Sequence, residues 1–242
     1  MTSHLLTRDR IAKRLEIEAI ARHVQDGMTV LDVGCGDGET LIELARRYEI
    51  AGIGYDSSIE MLKLAAANEM RTHFENMKGT ISLFQADLLK QAIPALDLVY
   101  SERTLVCLPD WETQKRAIAN IARCLKPGGL YVMCECSQDG LDAVNAMREC
   151  VGLPPVISPT WDRYLCDAEI EGFAADNGCG LELEGIERFG STYAFLSRVV
   201  NAFLAAKAGL EPEYDSEINK LALKLPSIGD FGQYTIWKWY RQ

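Results

Sequence analysis

Thr29-Val30-Leu31-Asp32-Val33-Gly34-Cys35-Gly36-Asp37-Gly38 decides the fold of this chain. Residues 29–33 are mostly aliphatic and β-branched, the pattern of a strand buried on both faces of a parallel sheet. The run then breaks into three glycines at alternate positions, and a helix-forming stretch follows over residues 39–48. Glycine lets a backbone turn sharply and a ligand approach closely. The helix behind such a turn aims its free N–H groups back at it. Strand, glycine turn and helix together describe a site for a nucleotide-like ligand. A dinucleotide fingerprint places its third glycine three positions after the second, and that position here is Glu39. The row reads instead acid-x-Gly-x-Gly-x-Gly, led by Asp32.

Working outward, residues 50–58 form a second apolar strand that ends at Asp56 and Ser57. A carboxylate at that point can accept both hydroxyls of a ribose, one per oxygen. Ser58 is placed to cap the next helix, which carries Met61, Leu62, Leu64 and Ala65. Met61 suits either core packing or the flank of an adenine ring. Residues 80–86 read as a third strand closed by Asp87-Leu88, where an acid either accepts from an adenine amino group or caps a helix. Residues 96–103 make a fourth strand. Its exit, around Ser101 and Glu102, is where open sheets of this type place substrate chemistry. A helix over 111–125 stops at Lys126-Pro127-Gly128-Gly129, and residues 130–136 give a fifth strand.

These features resemble the class I S-adenosylmethionine-dependent methyltransferases: the acid-x-Gly-x-Gly-x-Gly turn, Asp56, Asp87, and the helix, Leu-Lys-Pro-Gly-Gly, strand sequence. The resemblance covers residues 28–136 closely and the rest only by the order of strands and helices. It implies an α/β fold, a doubly wound, seven-stranded, mostly parallel Rossmann-like sheet with an antiparallel last strand and helical accessory segments. It implies S-adenosylmethionine as cofactor, with S-adenosylhomocysteine as product. It places the cofactor contacts at Asp32, Gly34, Cys35, Gly36, Gly38, Asp56, Ser57, Met61, Asp87, Leu88 and Ser101. The tail also resembles methyltransferases of bacterial surface-glycan gene clusters, which points to a sugar or small-molecule hydroxyl as acceptor. A phosphate-type oxygen, an amine nitrogen and a non-catalytic relative of the fold are the alternatives.

The chain is expected to be a single domain over 1–242, with residues 26–136 as the cofactor-binding half. Residues 137–180 form an accessory segment that includes a proline-rich connection and a helix begun by Asp167. A strand over 181–188 leads into a helical insertion at 189–230, ahead of an aromatic last strand over 234–240. So long a detour between two sheet neighbours is more than a hairpin needs. It is therefore a candidate substrate lid, with a packing layer or a homodimer contact as the other readings. The apolar helix at 194–208 is too short, and too charged, to span a bilayer. An N-terminal amphipathic helix over 7–25 covers one end of the sheet, or brings Arg10 or Arg14 to the ligand's carboxylate.

Methyl transfer to a hydroxyl benefits from a base. His4, His23 and His73 fall at no strand exit, so Glu102 and Glu135 are the candidate carboxylates, with pairing to Arg103 or helix capping as their structural alternative. Tyr164 and Tyr193 are the candidate hydroxyl contributors, Tyr193 first. No acid cluster calls for Mg²⁺, so the site is expected to be metal-independent. Composition narrows the partners. The 242 residues are 48% hydrophobic and carry a formal charge of −10, with a pI near 4.9. That balance argues against nucleic acid. Eight cysteines without a Cys-x-x-Cys pair, and a start that lacks a signal-peptide core, fit free thiols in a reducing cytoplasm.

Overall fold

The computed structural model describes residues 9–72, 77–90, 95–176 and 178–242. Strands β1 (Thr29–Val33), β2 (Ala51–Asp56), β3 (Thr80–Gln85), β4 (Leu96–Glu102), β5 (Leu125–Cys136), β6 (Leu181–Glu187) and β7 (Tyr234–Arg241) make one sheet. Their order is β3-β2-β1-β4-β5-β7-β6. Pairing is parallel from β3 across to β5, and β7 runs antiparallel to both β5 and β6. The expected sheet is thus present, with its direction reversed only at the last strand.

Successive side chains on a strand point to opposite faces, and both faces of this sheet are covered. On one side Leu98, Tyr100, Val132 and Ile236 pack with Ile20 and Leu44. These last two come from α1 (Arg10–Ala21) and α2 (Glu39–Arg47). On the other side Leu31, Val99, Tyr131, Met133 and Trp239 pack with Ile118 and Ile170, from α4 (Trp111–Ala122) and α6 (Asp167–Asp176). Helix α3 (Ile59–Thr72) follows β2. Side-chain caps fix the starts of two of these helices: Asp9 accepts from Ala12 N at 3.0 Å and Asp110 from Thr113 N at 2.7 Å. Such a cap contributes about 1 kcal/mol.

Three local expectations change. The Lys-Pro-Gly-Gly turn does not precede the fifth strand but lies within β5, because Leu125 already pairs with Leu96; the register shifts before Leu98 meets Leu130. Helix α5 (Gln138–Cys150) was not anticipated; Ser137 caps it by accepting from Gly140 N at 3.1 Å. The insertion between β6 and β7 is helical, but not one regular helix. It runs as α7 (Ser191–Ala194), a π-helical stretch (Phe195–Asn201), α8 (Ala202–Ala208) and then α9 (Glu217–Leu221). Ala194 and Val199 pack with Val144 of α5. All eight cysteines are free. Among the described residues no helix is long and apolar enough to cross a membrane.

Candidate functional site

The strand order reverses at β1, between β2 and β4, which leaves a crevice outside the carboxyl ends of these strands. The glycine turn fills its base and is stitched to β2. Gly34 N and Cys35 N both donate to Tyr55 O at 2.7 Å. Asp56 binds the turn to the next helix: Oδ2 accepts from Gly36 N at 2.9 Å and Oδ1 from Ser58 N at 2.8 Å. Each of its oxygens keeps a further lone pair for a ligand hydroxyl. Gly34 has φ +75°, and a Cβ there would lie 2.3 Å from Thr104 Oγ1. Only glycine fits beneath Thr104. Gly36, at φ +53°, faces open space instead.

A cavity of about 390 Å³ opens above the turn. Gly34, Asp56, Ser57, Asp87 and Leu88 line one side, and Arg103, Thr104, Cys107 and Leu108 the other. Five of the expected contact residues therefore converge. Asp87 also holds its own turn, accepting from Leu89 N at 2.9 Å and pairing with Lys90 at 2.8 Å. The remaining side chains stand back. Asp32 is buried beneath the turn, Cys35 packs under Gly54, and Ser101 is buried with its hydroxyl 2.9 Å from that of Tyr131. Met61, half-buried, lies outside the lining.

Buried acids, Asp32 and Asp37, flank the glycines of the turn. Burial, reinforced by the charge of Glu102, pushes the Asp32 carboxyl up to about 8. Burial and the charges of Asp32, Asp56 and Asp37 push the Cys35 thiol far above its usual range. A turn ringed by acids repels a pyrophosphate and favours a ligand that carries positive charge.

Both candidate carboxylates and Tyr193 are engaged elsewhere. Glu102 receives Lys13 Nζ at 2.6 Å and Thr40 Oγ1 at 2.5 Å. Burial alone would raise its pKa, but Lys13 and Arg103 outweigh it and hold the group ionised. Glu135 is buried and caps the short 3₁₀ turn Leu105–Cys107: Oε1 accepts from Thr104 N and Leu105 N, and Oε2 from Val106 N. Tyr193 is buried, and its hydroxyl donates to Asp9 Oδ1 at 2.6 Å. It ties the insertion to the start of α1 and does not line the cavity. His23 sits beside Lys238 and Glu187, at the far strands of the sheet; His4 and His73 lie outside the described residues. Arg10 forms a forked pair with Glu39, and neither Arg10 nor Arg14 lines the cavity above the turn.

Sequence reasoning passed over Arg103, Thr104, Cys107 and Leu108. Their signal was their place at the β4 exit, where Arg103 adopts φ +51°. The guanidinium of Arg103 pairs at 3.0 Å with the buried Glu16 and lies 3.8 Å from Glu102. The stretch after α5 folds back here: Arg163 N donates to Val106 O at 2.7 Å, and Cys107 Sγ lies 3.9 Å from Asp162 Oδ1. Among the described residues no group of three or more His, Cys, Asp or Glu could hold a metal ion.

Residues 30–129 match a family model described as a methyltransferase domain. Over 105 residues the chain is 34% identical to a trans-aconitate 2-methyltransferase of Deinococcus radiodurans, covering 43% of this chain and 36% of that protein. The chain spans less than half the length of such curated relatives. The fold matches that of a Synechocystis magnesium protoporphyrin IX methyltransferase with bound S-adenosylhomocysteine, at a TM-score of 0.62 and 16% identity, over 100% of this chain and 89% of that one. It also matches the cyclase SpnF, at a TM-score of 0.62 and 19% identity, over 99% of this chain and 84% of that one.

Proposed function

We propose, from the match of residues 30–129 to a methyltransferase-domain family and from the fold shared with an S-adenosylhomocysteine-bound methyltransferase, that the chain is a class I S-adenosylmethionine-dependent methyltransferase that transfers a methyl group to an ionised oxygen of a small molecule. The acid-ringed turn fits the cofactor, since a positively charged ligand relieves the repulsion around Asp32. In this reading Asp56 holds the ribose hydroxyls, Asp87 and Leu88 receive the adenine, and Gly34 and Gly36 leave room for the amino-acid end. The cofactor supplies an electrophilic methyl on a sulfonium. This chain supplies position, which by itself lowers much of the barrier.

One observation carries the acceptor class: the side chains that would act as base are held by other groups, while a cation reaches the cavity. Glu135 is capped by backbone N–H groups and Glu102 is held ionised by Lys13. Arg103, itself paired with Glu16, lines the cavity with its side chain 31% exposed. A hydroxyl acceptor needs a proton removed; a carboxylate does not, and its second oxygen suits a guanidinium. The trans-aconitate enzymes among the relatives act on a carboxylate-bearing substrate, which supports this choice over the sugar hydroxyl suggested by the tail.

The cyclase with the same fold shows that the fold does not dictate the chemistry, so the test must read product. The purified chain is incubated with methyl-labelled S-adenosylmethionine and three acceptor sets: di- and tricarboxylates including trans-aconitate, sugars, and amines. Label on a carboxylate is expected, with Arg103→Gln raising its KM. Label confined to sugars or amines overturns the acceptor class. Binding of S-adenosylhomocysteine without label on any acceptor assigns the chain to the non-catalytic relatives.

A further inference from the structure

A second concavity is larger than the one above the glycine turn. A groove of about 760 Å³ runs across the outer face of α2, walled by α1, α3 and the segment around α9. Arg10, Arg14, Arg46, Arg47, Arg71 and Lys220 line it, against only Glu39, Glu43 and Asp215. On a chain of formal charge −10, this is a local reversal of sign. We propose that the groove binds a small molecule carrying two or more phosphate groups.

The pairing of these cations supports the assignment. Arg47 is held by Glu43 and Glu18, Arg10 by Glu39, and Lys220 by Asp215 and Glu217. Arg14 and Arg71 are exposed, and among the described residues neither makes a hydrogen bond or an ion pair. They stand on different walls, one on α1 and the other on α3. Arg14 and Arg71 face one concavity from these two walls, and an anion with charge at two points meets both. Phosphate suits the guanidinium fork and brings more charge per group than a carboxylate. Ile17, Ile42 and Leu223 give the groove apolar surface for an organic body. The volume lies in the range of small-molecule sites. The groove is also joined to the cofactor side, since Asn68 on its α3 wall donates to Asp37 O of the glycine turn at 2.9 Å.

This inference does not rest on the proposed methyl transfer, and its test is independent of turnover. The full chain is titrated with sodium pyrophosphate by calorimetry at low salt, beside an Arg14→Ala/Arg71→Ala double variant. S-adenosylhomocysteine affinity serves as the check on folding. Saturable one-site binding is expected. It should weaken about tenfold or more in the variant, the scale of losing charge-assisted contacts, and weaken further as salt is raised. S-adenosylhomocysteine affinity should be the same in both proteins. Absence of saturable binding, equal affinity in the variant, or citrate binding as tightly as pyrophosphate would each overturn the proposal. If S-adenosylhomocysteine binds neither protein, the functional reading fails and the pyrophosphate result stands alone.

Discussion

The glycine turn and the β4 exit border the same cavity, yet they are built over very different spans of chain. In the turn the decisive bonds are short-range: Asp56 lies 20 residues from Gly36 and two from Ser58. At the β4 exit Glu102 meets Lys13 across 89 residues, and the Tyr193 clamp reaches Asp9 across 184. A short-range site can be carried by a motif. A long-range one depends on the whole sheet and on α1 being in place, so the two should respond differently to substitution.

The largest effect is expected at the turn. Gly34→Ala combines a left-handed backbone, which costs roughly 1–2 kcal/mol, with overpacking against Thr104, which costs roughly 1–3 kcal/mol. The melting temperature should fall and S-adenosylhomocysteine binding should be lost; a variant that binds and melts like the parent would break the claim that the turn tolerates only glycine. Next comes Asp56→Ala, expected to weaken cofactor affinity by roughly 1.5–3 kcal/mol, the scale of hydrogen bonds to a charged group. Unchanged calorimetric affinity removes the ribose assignment.

Acidity sharpens the comparison further. Asp32 holds its proton more tightly in the folded protein, up to about 8, than in the unfolded chain, where an aspartate titrates near about 4. The unfolded state therefore binds fewer protons between those values, and the stability of the unliganded protein falls as pH rises through that window. A cationic ligand favours the ionised form, so cofactor affinity should rise with pH toward about 8. Calorimetry between about pH 6 and 8.5 should show this together with proton release, and Asp32→Asn should flatten both trends. A flat profile in the parent chain rejects the role given to Asp32.

The clamp should give a smaller and different response. Tyr193→Phe removes the hydroxyl bonded to Asp9 and is expected to cost about 1 kcal/mol of stability, with cofactor affinity and acceptor KM unchanged. A raised KM at unchanged stability would return Tyr193 to the acceptor site. The smallest effect is expected from EDTA, which should leave turnover as it is; loss of activity restored by Mg²⁺ would count against a metal-independent site.

The sequence by itself determined the run of strands from β1 to β5, and its resemblance to the methyltransferases implied the reversed last strand and the contact set of which Gly34, Asp56, Ser57, Asp87 and Leu88 line the cavity. The strand run follows from short apolar segments, from glycines at 34, 36 and 38, and from acids at strand ends, all of which act within a few tens of residues. Tertiary structure alone decided what the polar side chains at the β4 exit do. Glu102 and Glu135 sit where a base would sit, but only the folded chain shows Lys13 against one and the N–H groups of Thr104, Leu105 and Val106 against the other. Helix α5 was hidden for a related reason. Gly140 sits inside it because the Gly232 carbonyl lies 2.0 Å from where a Cβ would be, a neighbour 92 residues away in the chain. A residue's type and local spacing tell what it can do. Whether a buried carboxylate is left free to do it depends on partners that burial brings together from distant parts of the chain, because an unpaired charge in the interior is too costly to leave alone.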